Sequence, residues 1–168
     1  MFNNKKRQQF KPKEPKIFTK ERLYSYGLWL IARRDYTVYE LSEKMKKYQP
    51  DTSIIKETVD KMVTQGYVND EKRATNIVNS YIRKESTYKI KRRLSEKGVS
   101  QELIEEVFET CINEDTEQES ANNLIVKKFK IYNPELKQKY ASYLASRGYS
   151  WDIISKSISY LKSTFQEE

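Results

Sequence analysis

This chain has no histidine, and it has a single cysteine, Cys111. Nucleophilic sites that need an imidazole base, and metal sites built on imidazole ligands, are therefore excluded. One thiol is too few for a thiolate zinc site or an iron–sulfur cluster. The four glycines, Gly27, Gly66, Gly98 and Gly148, are scattered, so no glycine-rich loop cradles a phosphate. The adjacent acids Glu105 and Glu106 do not make an acid/base dyad, because neighbouring positions on a helix face different directions. No catalytic residue and no cofactor is expected, and the chain does not read as an enzyme. The chemistry left is the binding of anions.

The cations carry that chemistry, and they are patterned. Lys89, Arg92 and Arg93 fall at i, i+3 and i+4, on one side of a helix whose Ile90 and Leu94 turn inward. Lys97 flanks them. Lys44 and Lys47 stand on the corresponding stretch earlier in the chain, and Lys128, Lys137, Lys139 and Arg147 on or near the later one. Arg33 and Arg34 close the first helical stretch. Cations that recur at matched positions suit a periodic polyanion, because affinity grows with the number of phosphates neutralised. A groove-reading helix-turn-helix is disfavoured by sign. Its second helix would be residues 101–111, with Glu102, Glu105, Glu106 and Glu109 and no positive charge. Backbone or protein contact by the basic helix fits better than base readout. Thirteen tyrosines fall mostly on helix faces or beside turns. Of these, Tyr36, Tyr67 and Tyr149 are expected to seal cores, and stacking on unpaired bases is the alternative use of such rings.

The elements that hold these cations are helices. Residues 88–111 read as a basic helix to Lys97, a turn at Gly98-Val99, and a second helix from Gln101 capped by Ser100. Leu103, Ile104, Val107, Phe108 and Cys111 form the apolar face of that second helix. The pattern recurs fifty residues on, where Leu94, Gly98, Ser100, Ile104 and Phe108 map onto Leu144, Gly148, Ser150, Ile154 and Ile158. It recurs more faintly forty-nine residues earlier, at Met45, Asp51, Ile55, Val59 and Met62. Thr37 with Glu40, and Thr116 with Glu119, read as capping boxes; Asp70 reads as an N-cap and Asn133-Pro134 as a helix start. The expected helices run from Lys20 to about Arg34, then over 38–47, 52–65, 71–84, 88–97, 101–111, 116–130, 134–147 and 151–163. A helical period of about fifty is the signature of a tandem array. The fold class expected is all-α, three tandem three-helix repeats in an elongated curved array: a basic tail at 1–18, expected to be disordered, then repeats at 19–66, 67–113 and 114–168.

Composition agrees. Of the 168 residues 37% are hydrophobic and 33% charged, too little apolar material for one deep core. A unit of this size buries little surface alone, so neighbours must lend stability. The net charge of +8 favours nucleic acid or an acidic protein surface as partner. One cysteine suits a reducing, cytoplasmic setting. No apolar run approaches a membrane span, no signal peptide is visible, and without a coiled-coil seam a monomer is expected.

Four stretches resemble the RecX family, regulators of the RecA recombinase: ARRDYTVYELSEKM (32–45), GYVNDEKRATNIVNSYIR (66–83), KIKRRLSEKGVSQELIEEVFE (89–109) and KQKYASYLASRGYSWDIISKSI (137–158). They stand in the family's order and are specific in combination. The resemblance implies a protein that lies in the groove of the RecA–single-stranded-DNA filament and bridges RecA subunits. It would thereby inhibit ATP hydrolysis, strand exchange and coprotease activity, and so bear on DNA repair and the SOS response. The basic residues named above are the candidates for contact with RecA or DNA. The chain departs from the family pattern in having Lys72 and Arg73 where an arginine and an aromatic usually follow the Asn-Asp-Glu triplet. It also lacks the customary glycine and proline in 84–87. The alternatives are a nonspecific helical DNA-binding protein, for which the charge and the tail speak, and a scaffold for another acidic protein.

Overall fold

The computed structural model describes residues 17–112 and 115–166, and within them the backbone is helical, with no strand. The helices are α1 (Lys20–Ile31), α2 (Val38–Lys46), α3 (Thr52–Thr64), α4 (Asp70–Tyr81), α5 (Thr87–Ser95), α6 (Gln101–Cys111), α7 (Thr116–Phe129), α8 (Lys137–Ala145) and α9 (Trp151–Gln166); a 3-10 turn, Pro134–Leu136, leads into α8. Residues 1–16 of the basic tail lie outside the described residues. Phe18 already belongs to the first unit: its ring stacks on Tyr48 at 4.4 Å and its amide donates to the Tyr48 carbonyl at 2.8 Å.

The apolar residues settle into three separate cores, one per helix trio. Leu23, Leu41, Met45, Ile55 and Met62 fill the first. Ile77, Ile90, Leu94, Ile104 and Phe108 fill the second, and Ile125, Tyr140, Leu144, Ile154 and Leu161 the third. Each helix of a trio packs on the other two. Cutting one of these leucines to alanine would cost about 2–5 kcal/mol, because a small core cannot close the gap.

Local chemistry explains most of the element ends. Thr19, Thr37, Asp51, Asn69, Ser86 and Ser100 each accept a first-turn amide. Thr37 and Glu40 complete a reciprocal capping box. Gly66, Gly98 and Gly148 end the preceding turns at φ of 75°, 74° and 88°, where a side chain is strained. Several expectations fail. Helices α1 and α4 stop three residues before their expected ends, at Ile31 and Tyr81. Asp115, not Thr116, occupies the N-cap position of α7, without a side-chain cap. Pro134 begins a 3-10 turn and not the α-helix itself. Tyr36 and Tyr149 are buried as expected, but Tyr67 is exposed because its neighbour Val68 takes the buried place.

The trios meet through a repeated polar joint. At the first, the Thr37 hydroxyl donates to the Lys97 carbonyl at 2.6 Å, and the Val38 amide donates to Asp70 Oδ1 at 2.8 Å. Gly98 lies against the Tyr39 ring. At the second, forty-nine residues on in α5, the Ser86 amide donates to the Arg147 carbonyl at 3.0 Å and the Thr87 amide to Glu117 Oε1 at 3.0 Å. Gly148 lies against the Ser86 hydroxyl. Asp70 is therefore not the cap of its own helix, which is Asn69; it caps the second helix of the preceding trio. In the third trio the same amide, that of Lys137, is taken by the Pro134 carbonyl of its own 3-10 turn.

Gly66 and Gly98 separate backbone strain from joint packing. Both sit at nearly the same positive φ, but a Cβ at Gly66 meets nothing within 4 Å, whereas one at Gly98 would stand 2.3 Å from Tyr39 Cβ. Gly66→Ala should cost about 1 kcal/mol of strain, and Gly98→Ala about 3 kcal/mol, since the joint must also part. Denaturant unfolding of the two variants checks this; equal losses would show that the joint adds nothing at Gly98.

Candidate nucleic-acid interface

Helix α5 is short, with Ile90 and Leu94 buried and Lys89, Lys91, Arg92 and Arg93 around the remaining face, with no acid among its residues. Helix α8 repeats the arrangement with Lys137 and Lys139, again without an acid. The apolar residues fix the rotation of each helix, and that rotation decides where each cation goes.

The expected stripe of Lys89, Arg92 and Arg93 divides. Arg93 Nη2 donates to both carboxylate oxygens of Glu85, at 2.9 and 2.8 Å, with its guanidinium 4.2 Å over the Tyr81 ring. Lys89 Nζ lies 3.6 Å from the same Glu85 and donates to the Ser146 carbonyl at 3.1 Å. Both therefore turn to the second joint, where Lys84, Lys89 and Arg147 line an open cleft of about 400 Å³. Arg92 faces solvent and pairs with exposed Glu96 at 2.8 Å. Such a surface pair holds the side chain weakly and leaves it able to change partners.

Lys97 goes the other way, to the first joint. There its ammonium donates to Glu40 Oε1 at 2.5 Å, while Arg34 and Arg73 stand 3.6 and 4.0 Å from the same carboxylate. Arg34 also lies 3.9 Å over the Tyr36 ring. The Nε of Arg73 is buried with no hydrogen-bond partner among the described residues. Arg33 stacks 3.4 Å over Trp29. Lys44, Lys128, Lys137 and Lys139 are exposed, with no ion pair to any described residue, and exposed Lys47 has its ammonium 5.5 Å from the Tyr48 ring. Lys137 borders a groove of about 360 Å³ shared with Tyr132, Lys162 and Trp151, whose indole is 72% exposed.

The structure thus gathers Lys89, Arg93 and Arg147 around one joint and Arg34 and Lys97 around the other. The remaining seven candidates stand separately. Sequence reasoning missed Lys84 and Arg73. Lys84 stood as the last residue of an expected helix that in fact stops at Tyr81, and Arg73 stood out only as a departure from the family pattern. Among the described residues no group of three or more His, Cys, Asp or Glu could hold a metal ion, and no helix is long and apolar enough to cross a membrane.

Comparison with known proteins gives the architecture its place. The chain is 32% identical to the regulatory protein RecX of Haemophilus influenzae strain PittEE, over 77% of this chain and 88% of that protein. It is 33% identical to the regulatory protein RecX of Acinetobacter baylyi, over 82% of this chain and 86% of that one. This chain belongs to the RecX family. A family model described as the third three-helix domain of RecX matches residues 115–158, which run from the start of α7 into α9. The crystal structure of RecX from Lactobacillus salivarius superposes with a TM-score of 0.71 at 20% identity, covering 86% of this chain and 97% of that one. The three trios are therefore a RecX architecture.

Two acids at the first joint give this RecX protein a pH signature. Burial alone pushes the Glu40 carboxyl up, but the Lys97 hydrogen bond, the Thr37 amide and the charges of Lys97 and Arg34 together hold it below its ordinary value. Burial raises Asp70, the Val38 amide opposes this, and the Glu40 charge raises it further. A lowered carboxyl adds stability above its unfolded value and loses it as pH falls through the folded one; a raised carboxyl does the reverse. Below neutrality Glu40 thus weakens the joint while Asp70 offsets part of the loss. Glu40→Gln should flatten the acid fall in stability and Asp70→Asn should steepen it, as thermal melts between about pH 6 and pH 3 would show.

Proposed function

We propose that this RecX protein regulates RecA by lying along the groove of the RecA–single-stranded-DNA filament and bridging neighbouring subunits, thereby inhibiting ATP hydrolysis, strand exchange and coprotease activity. Repetition is the observation that supports this. The same joint recurs forty-nine residues apart, so helices α2 and α5 are set in the array by the same contacts. Helices α5 and α8 present cations without acids. A periodic cationic surface matches a periodic polyanion better than it matches a single compact partner. The protein acts by occupancy, as a monomer in the cytoplasm, and needs no cofactor.

Within this reading the named cations divide by freedom. Lys44, Lys47, Arg92, Lys128, Lys137 and Lys139 are exposed and can be committed to RecA or DNA without loss of a repeat contact. Arg34, Lys89, Arg93, Lys97 and Arg147 also hold the joints or their own helix ends, so they set the spacing as well as the charge. Arg33 presents its guanidinium beside an exposed indole.

The test is ATP hydrolysis by the cognate RecA on single-stranded DNA, titrated with this protein. Wild type should inhibit near stoichiometry with the filament. An Arg92→Glu/Lys137→Glu/Lys139→Glu variant should keep its melting temperature within a few degrees, because surface substitutions away from packed features are mild, and should inhibit at least tenfold less well. Absence of any RecA effect, together with tight and steeply salt-dependent binding to naked DNA, would favour the nonspecific DNA-binding alternative.

A further inference from the structure

We infer that the joint between the second and third trios is a binding site for a nucleic-acid backbone phosphate, and that the otherwise equivalent first joint is not. The two joints share the bond from the N1 amide to a carboxylate, and at each a residue at the N-cap donates to a carbonyl of the next trio, through the Thr37 hydroxyl at the first and the Ser86 amide at the second, so their side chains can be compared position by position. Asp35 and Glu40 of the first joint stand forty-nine residues before Lys84 and Lys89 of the second. At those two places acid has become lysine.

The local charges follow. The first joint gathers Arg34, Arg73 and Lys97 against Asp35, Glu40 and Asp70, which cancel. The second gathers Lys84, Lys89, Arg93 and Arg147 against Glu85 and Glu117. Both Glu85 oxygens already accept from Arg93, and both Glu117 oxygens accept from Thr87. The acids are spent on the joint, and Lys84 pairs with no carboxylate of the described residues; its ammonium lies 5.7 Å from the Tyr81 ring.

The cleft's shape and lining select the ligand. It is open, with a volume of about 400 Å³, and only Tyr81 and Leu124 are apolar. A docked peptide would want apolar anchors that the cleft lacks. A phosphodiester wants several charged donors, which Lys84, Lys89 and Arg147 supply. Arg147 donates to the Tyr143 carbonyl and Lys89 to the Ser146 carbonyl, so a phosphate would replace those neutral acceptors with a charged one, with Glu85, which also lines the cleft, 3.6 Å from Lys89 and bonded through both oxygens to Arg93. Because the cleft lies between α5 and the end of α8, a bound phosphate would also tie the second trio to the third.

The site rests on the nucleic-acid part of the function proposed above, but its test needs no RecA. Fluorescence anisotropy of the intact protein with a labelled oligo-dT strand, measured across salt concentrations, gives the dependence of log K on log salt. Lys84→Gln/Arg147→Gln should lower the magnitude of that slope by about 0.7, one phosphate's share for a single strand, and weaken binding roughly fivefold at 0.1 M salt. Lys84→Gln alone, which breaks no bond of the fold, should lose part of the same affinity. A control that removes two exposed charges elsewhere, Lys56→Gln/Lys156→Gln, should leave the slope as in wild type. An unchanged slope in both cleft variants, an equal loss in the control, or no binding of the strand by wild type would each overturn the site. Loss of RecA-filament affinity with oligonucleotide binding unmoved would also overturn it and assign the cleft to an acidic peptide. Inhibition of RecA with no cleft dependence in the DNA assay sinks the site and keeps the function. Cleft-dependent DNA binding without any RecA effect does the opposite.

Discussion

The first amides of a helix have no partner within the helix, and this chain answers that need across its repeats. At α2 and α5 the N1 amide, of Val38 or Thr87, donates to a carboxylate from the first helix of the next trio, Asp70 or Glu117. The position serves two ends, the second opposed at Asp70 by burial and the Glu40 charge. It satisfies a donor that would cost about 1–3 kcal/mol if buried alone, and it places a negative charge at the positive end of the helix. The carbonyls of Lys97 and Arg147 close the same contact from the end of α5 and α8. Glycine at 98 and 148 is required because this approach leaves no room for a Cβ.

Everything larger in the fold depends on that joint being polar. The three cores do not merge, so no shared hydrophobic layer fixes the angle between trios. Directional hydrogen bonds fix it. A polar joint also tolerates changes of charge that a packed apolar interface would not, provided each backbone donor keeps its acceptor. That freedom is visible in the exchange of Asp35 and Glu40 for Lys84 and Lys89: the N1 amide keeps its carboxylate, and the N-cap amide, which bonds Glu40 at the first joint, bonds the Arg147 carbonyl at the second. Under the proposed function stability and binding are coupled at the joints, because the cations that hold the repeats in register are among those proposed to meet the partner.

The sequence made the trios legible because each depends on local rules. Apolar periodicity placed Leu94, Ile104 and Phe108 in one core, and left-handed turns at Gly66, Gly98 and Gly148 followed from where the helices had to stop. The joints obey no local rule, and there the reasoning failed in instructive ways. Asp70 looked like a cap because it precedes an apolar run, but Asn69 has the same chemistry one residue earlier and frees Asp70 to reach Val38. Lys89, Arg92 and Arg93 share a side by spacing alone. Glu85, which draws two of them away from Arg92, lies before the cap of their own helix, where helical periodicity says nothing. Tyr67 and Tyr149 both follow a glycine turn, but Tyr67 comes after the third helix of its trio, where Val68 takes the buried place, and Tyr149 after the second, where its hydroxyl meets Ser120.

The third trio lacks this interaction among the described residues. Leu136 and Lys137 stand fifty residues after Ser86 and Thr87, where a fourth trio would dock. Leu136 has no side-chain cap, and the Lys137 amide is already bonded to the Pro134 carbonyl. An incoming carboxylate would find its donor occupied and would have to unwind the 3-10 turn that Asn133 caps and Pro134 stiffens. One amide is satisfied internally here, and Lys137 and Lys139 stand exposed beside that 3-10 turn.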